Sequence, residues 1–123
     1  MDTLGLLLAV VVTGAGVDDA RAAPAVPEQL DGERCPRLEV VWVDAEYHNH
    51  DLNAWKADRP ELGWRLEVVR RPADAKGFVL LPKRWAVERT FAWLGRARRL
   101  SRDYEWHTTS SEGMIRIRGI QRL

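Results

Sequence analysis

The segment from Leu81 to Tyr104 constrains the fold more than any other part of the chain, because its apolar and basic positions follow the period of a helix. Val87, Phe91 and Leu94 are spaced i, i+4 and i+7 and therefore share one helix face. The spacing predicts an amphipathic helix over about residues 85–100, with these three side chains on its apolar face.

A single acid, Glu88, stands among the arginines of this helix, on the same face as Arg84 and Arg99. A second acid, Asp44, follows a β-like run over residues 38–43. Strand ends and helix faces are where nucleases place metal-binding acids, and basic surroundings suit a polyanionic substrate. From the residues alone, two plainer interpretations stay open: Glu88 as a surface ion pair with Arg84, and Asp44 as a turn or helix-capping acid.

Three segments carry a family resemblance. Residues 84–123, RWAVERTFAWLGRARRLSRDYEWHTTSSEGMIRIRGIQRL, strongly resemble the C-terminal end of DDE transposases of the bacterial IS5 family. Residues 38–55, LEVVWVDAEYHNHDLNAW, resemble the middle of the same catalytic domain, and residues 2–19, DTLGLLLAVVVTGAGVDD, resemble the strand that precedes it. The resemblance covers nearly the whole chain.

The resemblance implies an α/β, RNase H-like catalytic domain that uses three acids. Asp44 matches the second acid and Glu88 the third, each as a catalytic and metal-binding residue. In the intact family two divalent ions, usually Mg²⁺, clamp the attacking and leaving oxygens of a phosphodiester, and such hard cations prefer carboxylate oxygens. The family's first acid lies upstream of the segment matched by residues 2–19. We therefore expect a truncated transposase domain without its first strands, and an inactive fragment.

The pattern predicts one partial domain over residues 1–123. A broken helix is expected over about residues 19–31, because Pro24 and Pro27 interrupt it. Thr109 or Ser110 is expected to cap the last helix. The predicted strands cover about residues 6–13, 38–43 and 64–70, and the predicted helices about residues 47–56, 85–100 and 110–123.

The first predicted strand, residues 6–13, would lack a neighbour on one side in such a fragment. Unpaired apolar edges invite pairing with another chain, so a homo-oligomer is a possible state. The overlapping apolar run over residues 4–12 is also compatible with a secretory signal, but no basic residue precedes it. It is too short to cross a bilayer, so no membrane association is expected. Cys35 is the only cysteine, which fits a reducing cytoplasm.

Charge is divided unevenly along the chain. Residues 1–63 hold 5 basic and 12 acidic side chains, whereas residues 64–123 hold 14 basic and 6 acidic ones. Such asymmetry indicates a polyanion partner for the second half, and DNA is the partner that the resemblance implies. A solvated basic helix face is the alternative. The residues expected to form a continuous DNA-binding surface past Glu88 are Arg84, Arg89, Arg96, Arg98 and Arg99.

Two weaker features remain. His48 and His50 lie near Asp51, but an i, i+2 spacing on a helix points side chains apart, so we favour a solvated surface over a metal site. Trp85 and Trp93 flank Glu88 and suit either stacking on unpaired bases or half-buried packing.

Two function classes stay open. The first is a metal-dependent enzyme of phosphodiester transfer, active or decayed. The second is a non-catalytic remnant that binds nucleic acid through its basic helix.

Overall fold

The computed structural model describes residues 1–30, 32–47, 50–77, 79 and 84–123. The chain divides into two compact units, one of residues 15–79 and one of residues 1–14 with 80–123. His48, weighed above as a metal ligand, lies outside the described residues. No helix in the described part of the chain is both long and apolar enough to cross a membrane.

The unit of residues 15–79 contains a parallel pair of strands, β1 (Val40–Asp44) and β2 (Arg65–Val69). Their register runs from Val40 opposite Arg65 to Asp44 opposite Val69. Valine-rich runs favour such strands because β-branched side chains pack well on a pleated surface. A parallel pair requires a crossover connection, and a 3₁₀ turn (Ala45–Tyr47) with helix α2 (His50–Ala57) supplies it. These elements overlap the predicted strands and helix.

The start of this unit is irregular, as the prolines predicted. Helix α1 (Asp19–Ala22) begins where the Asp18 carboxylate accepts hydrogen bonds from the amides of Ala20 and Arg21, at 2.9 and 3.2 Å. After one turn the chain continues as two 3₁₀ turns that each contain a proline at their start, Ala23–Ala25 and Pro27–Gln29. Because proline has no amide hydrogen, it ends the regular helical ladder.

Aromatic and aliphatic side chains form the core of this unit. Leu30, Leu52 and Trp64 are buried. The Trp55 ring stacks on Trp64 with centroids 6.2 Å apart, and the Arg59 guanidinium lies 4.4 Å from the Trp55 ring. These contacts hold α2 against the segment that leads into β2.

The second unit is built on helices α3 (Arg84–Gly95) and α4 (Thr108–Ile120), joined through a 3₁₀ turn at Arg98–Leu100. The predicted cap of α4 at Thr109 or Ser110 is wrong, because the helix begins at Thr108 and His107 is its N-cap residue. The His107 carbonyl accepts hydrogen bonds from the amides of Ser110 and Ser111, at 3.0 and 3.2 Å. The backbone therefore closes the first turn, and the structure shows no capping bond from the His107 side chain.

The buried face of α3 differs from the apolar face that the sequence predicts. Ala86 and Thr90 are 6% and 2% exposed, whereas Val87 and Phe91 are 40% and 64% exposed. The N-terminal segment lies close to Thr90, whose hydroxyl donates a hydrogen bond to the Gly5 carbonyl at 3.3 Å. The helical period alone predicted that the larger apolar side chains, such as Phe91, would form the buried face.

Residues 6–13 do not form the strand that the sequence predicts; the structure describes all of residues 1–30 and places no strand there. Side chains satisfy backbone donors that a sheet would otherwise pair. The Asp2 carboxylate accepts from the amides of Leu4 and Leu6, at 2.9 and 2.8 Å, and Glu112 of α4 accepts from the Val12 amide at 3.0 Å. The segment is thereby fastened to α4.

Gly5 sits where this segment turns against α3 and against Arg122, which follows α4. Its φ of +82° is a conformation that side chains rarely adopt. A Cβ atom here would lie 2.8 Å from the Thr90 hydroxyl oxygen and 3.1 and 3.3 Å from the guanidinium nitrogens of Arg89 and Arg122. The position therefore requires glycine both for its backbone angle and for space.

Replacing Gly5 by alanine should lower the free energy of unfolding by about 1–3 kcal/mol, the usual cost of a strained left-handed residue. Chemical denaturation of the purified chain measures this. Gly14→Ala is the matched control, because nothing lies within 4 Å of a Cβ there. Equal stability of the two variants would contradict the packing of residues 1–6 described above.

Candidate nucleic-acid interface and acidic site

Asp44 is the last residue of β1 and is exposed. Its carboxylate accepts a hydrogen bond of 2.6 Å from the Ala45 amide, which starts the following 3₁₀ turn. The turn-acid interpretation of Asp44 is therefore present in the structure. Asp44 also stands at the carboxyl end of a parallel strand, the end of an open α/β sheet at which ligands bind.

Glu88 lies in the middle of α3, with its side chain 63% exposed. The Arg84 Nε lies 3.3 Å from the Glu88 carboxylate, so the ion pair that the sequence suggested exists. Exposed pairs of this i, i+4 type contribute only about 0.3–0.5 kcal/mol. Glu88 can therefore exchange Arg84 for another cation at small cost.

The two acids belong to different units, Asp44 to residues 15–79 and Glu88 to the unit of the two long helices. Among the described residues, no group of three His, Cys, Asp or Glu side chains is arranged to hold a metal ion. The described carboxylates therefore do not by themselves meet the donor set of a two-metal site. The expected pairing of Asp44 with Glu88 stays a prediction.

Part of the predicted basic surface clusters around one tryptophan. Arg89 and Arg96 line a cavity of about 250 Å³ together with Ala92, Trp93 and Arg122. The Arg89 guanidinium also donates to the Leu4 carbonyl at 2.7 Å. The cavity thus combines three guanidinium groups with an aromatic ring, a combination suited to an anionic, aromatic ligand.

Arg118 and Arg122 of the C-terminal region belong to this cluster and were missed by the sequence analysis. Their guanidinium carbons lie 4.6 and 5.4 Å from the Trp93 ring centroid. Arg122 also donates to the carbonyls of Gly5 and Leu4, at 3.1 and 3.3 Å. Their i, i+4 spacing was a signal that could have found them, because it places both on one side of a helix.

Arg98 and Arg99, two further predicted arginines, line a second cavity of about 520 Å³ together with Tyr104. The Arg99 Nε donates to the Glu105 carboxylate at 2.7 Å. This hydrogen bond lowers the pKa of Glu105, and the Coulombic attraction of the same cation adds to the effect. The ion pair orients Arg99 beside Tyr104.

Arg84 pairs with Glu88, Arg89 and Arg96 share the first cavity, and Arg98 and Arg99 share the second. All five lie in the unit that carries Glu88. The structure thus groups the predicted DNA-binding residues into three local clusters, and continuity between the clusters stays a prediction.

Comparison with known proteins identifies the family. The family described as "Transposase DDE domain" matches residues 1–116. The chain is 34% identical over 110 residues to a putative transposase for insertion sequence element IS402 from Burkholderia cepacia, across 85% of this chain and 50% of that protein. The chain thus spans about half the length of this relative, and no solved structure matches it significantly. Helices with a two-stranded parallel sheet are compatible with such a domain. The chain belongs to the transposase DDE domain family.

Proposed function

We propose that this chain is part of the transposase of an IS5-like insertion sequence. In the complete parent, an RNase H-like catalytic domain would cut and join DNA strands with divalent metal ions, Mg²⁺ first among them. The observation that carries the proposal is the family match over residues 1–116, joined to an exposed acid on a helix that also bears arginines.

In this proposal Asp44 and Glu88 are the second and third catalytic acids. Hard divalent cations bind carboxylate oxygens, and a pair of such ions stabilises both the attacking and the leaving oxygen of a phosphodiester. Asp44 offers its carboxylate at a strand end, and Glu88 offers its own from a helix face. The first of the three acids would come from another segment of the complete parent.

The arginines would hold the DNA backbone. Arg96, Arg98 and Arg99 are exposed at or just after the end of α3, and Arg122 joins Arg89 and Arg96 at the first cavity. Guanidinium groups suit phosphate because they present a planar fork of donors. Contacts of this kind carry affinity without sequence preference.

A second candidate function is a non-catalytic remnant that binds nucleic acid. Two observations on the described residues favour it. Arginines cluster at both cavities. No group of three His, Cys, Asp or Glu side chains is arranged there to hold a metal ion. The two candidates share DNA binding and differ in strand transfer.

The shared part is tested by measuring the affinity of the purified chain for a fluorescent DNA duplex across a series of salt concentrations. Both candidates predict binding that falls steeply with salt, because each phosphate contact releases a counterion. They also predict nearly equal affinity for unrelated sequences. Affinity that does not respond to salt would contradict both.

A further inference from the structure

Two aromatic side chains just before α4 are more exposed than their chemistry favours. Trp106 is 94% exposed and Tyr104 is 55% exposed. Each buries on the order of 150–250 Å² when it finds a partner, so leaving both in water forgoes a large hydrophobic gain. Two exposed aromatic rings within three residues are a candidate binding surface.

The segment around these rings, residues 98–106, carries three arginines and two acids. Arg98, Arg99 and Tyr104 line the 520 Å³ cavity, and the exposed Arg102 precedes Tyr104 along the chain. The occupant that matches both rings and guanidinium groups is planar, aromatic and anionic.

Two hydrogen bonds fix the residues that line this cavity. The hydrogen bond from Arg99 to Glu105, at 2.7 Å, ties the 3₁₀ turn to the residue after Tyr104. The Ser101 hydroxyl donates to the Arg98 carbonyl at 2.8 Å and closes the same turn. Two short-range bonds therefore fix the arginine turn and the segment that carries the aromatic residues.

We propose that Tyr104 and Trp106 stack on unpaired bases of a single-stranded DNA segment, while Arg98 binds the phosphate between them. This inference rests on the proposed DNA-binding function and specifies the form of DNA that the second cavity prefers. Paired bases cannot present their faces to an aromatic ring without unstacking, whereas unpaired bases can. Aromatic rings alternating with guanidinium groups are the usual means of binding single strands.

The test compares the affinities of the full chain for a fluorescent single strand and for the blunt duplex of the same sequence. Tyr104→Ala and Trp106→Ala should each weaken single-strand binding about ten-fold, within the range for one lost stacking contact. Tyr104→Phe keeps the ring and should retain the wild-type affinity within about two-fold. Duplex affinity should change little in all three variants, because the phosphate contacts remain.

Phe91→Ala is the matched control, since Phe91 is an exposed aromatic residue of the same unit that lies outside this cavity. It should leave both affinities unchanged. Equal weakening of single-strand and duplex binding by Tyr104→Ala would overturn the stacking role. So would unchanged DNA affinity together with a lowered unfolding midpoint, because that result assigns the ring to packing.

The experiment also separates this inference from the function on which it rests. If the wild-type chain binds duplex DNA with steep salt dependence but the ring variants bind single strands normally, only the inference is wrong. If the wild-type chain binds neither form, the DNA-binding function and the inference both fall.

Discussion

Glu88→Gln should abolish strand transfer by a chimera that joins this chain to the part of the IS402 transposase that it does not match. The substitution keeps the size and the polarity of the side chain but removes the negative charge that would hold a divalent ion. Mutation of a residue that only hydrogen-bonds to a metal ligand lowers activity roughly 10–100-fold. Loss of the ligand itself should lower activity by more than this. Asp44→Asn should have the same effect. The measurement is joining of labelled element ends with Mg²⁺ or Mn²⁺.

Glu61→Gln provides the control, because it neutralises an exposed carboxylate elsewhere in the unit of Asp44. It should leave the activity of the chimera unchanged. Strand transfer by the Glu88→Gln chimera at the unsubstituted rate would remove Glu88 from the site.

Changing Arg98 and Arg99 together to alanine should weaken duplex binding and flatten its dependence on salt. If each guanidinium contacts one phosphate, the slope of log affinity against log salt should fall by about 2. Arg99 also holds Glu105, so a normal unfolding midpoint must accompany the result. Fluorescence anisotropy over a range of salt concentrations measures both the slope and the affinity.

The matched control is the double change of Arg37 and Arg70 to alanine. It alters the net charge by the same amount, and both residues are exposed in the other unit. A general electrostatic effect would flatten the slope equally in both double variants. A local phosphate contact would flatten it only in the Arg98 and Arg99 variant, which is the expected result.

Local chemistry explains which elements could be predicted. The valine-rich run around Val41 predicted strand β1, which ends at Asp44. The helical period of the segment after Arg84 predicted helix α3, which carries Glu88. Pro24 and Pro27 predicted a broken helix, because a missing amide donor acts within one turn.

Tertiary contacts explain what could not be predicted. The apolar run over residues 6–13 has the sequence pattern of a strand. In the structure, however, backbone amides in and near this run donate hydrogen bonds to the carboxylates of Asp2 and Glu112 instead of to another strand. Burial of Thr90 in place of Phe91 depends on the turn at Gly5, 85 residues away in sequence. Arg122 enters the first cavity only because the C-terminal residues lie close to Trp93.

The claim that Asp44 and Glu88 form one site is tested most directly by cross-linking. In a Cys35→Ser background, the double variant Asp44→Cys and Glu88→Cys should form an internal bridge with a thiol reagent that spans about 8 Å, because acids that share a pair of metal ions about 4 Å apart must lie this close. Each single variant should react without bridging. Full labelling of both cysteines by a monofunctional reagent, with no internal bridge in the folded double variant, would contradict the shared site.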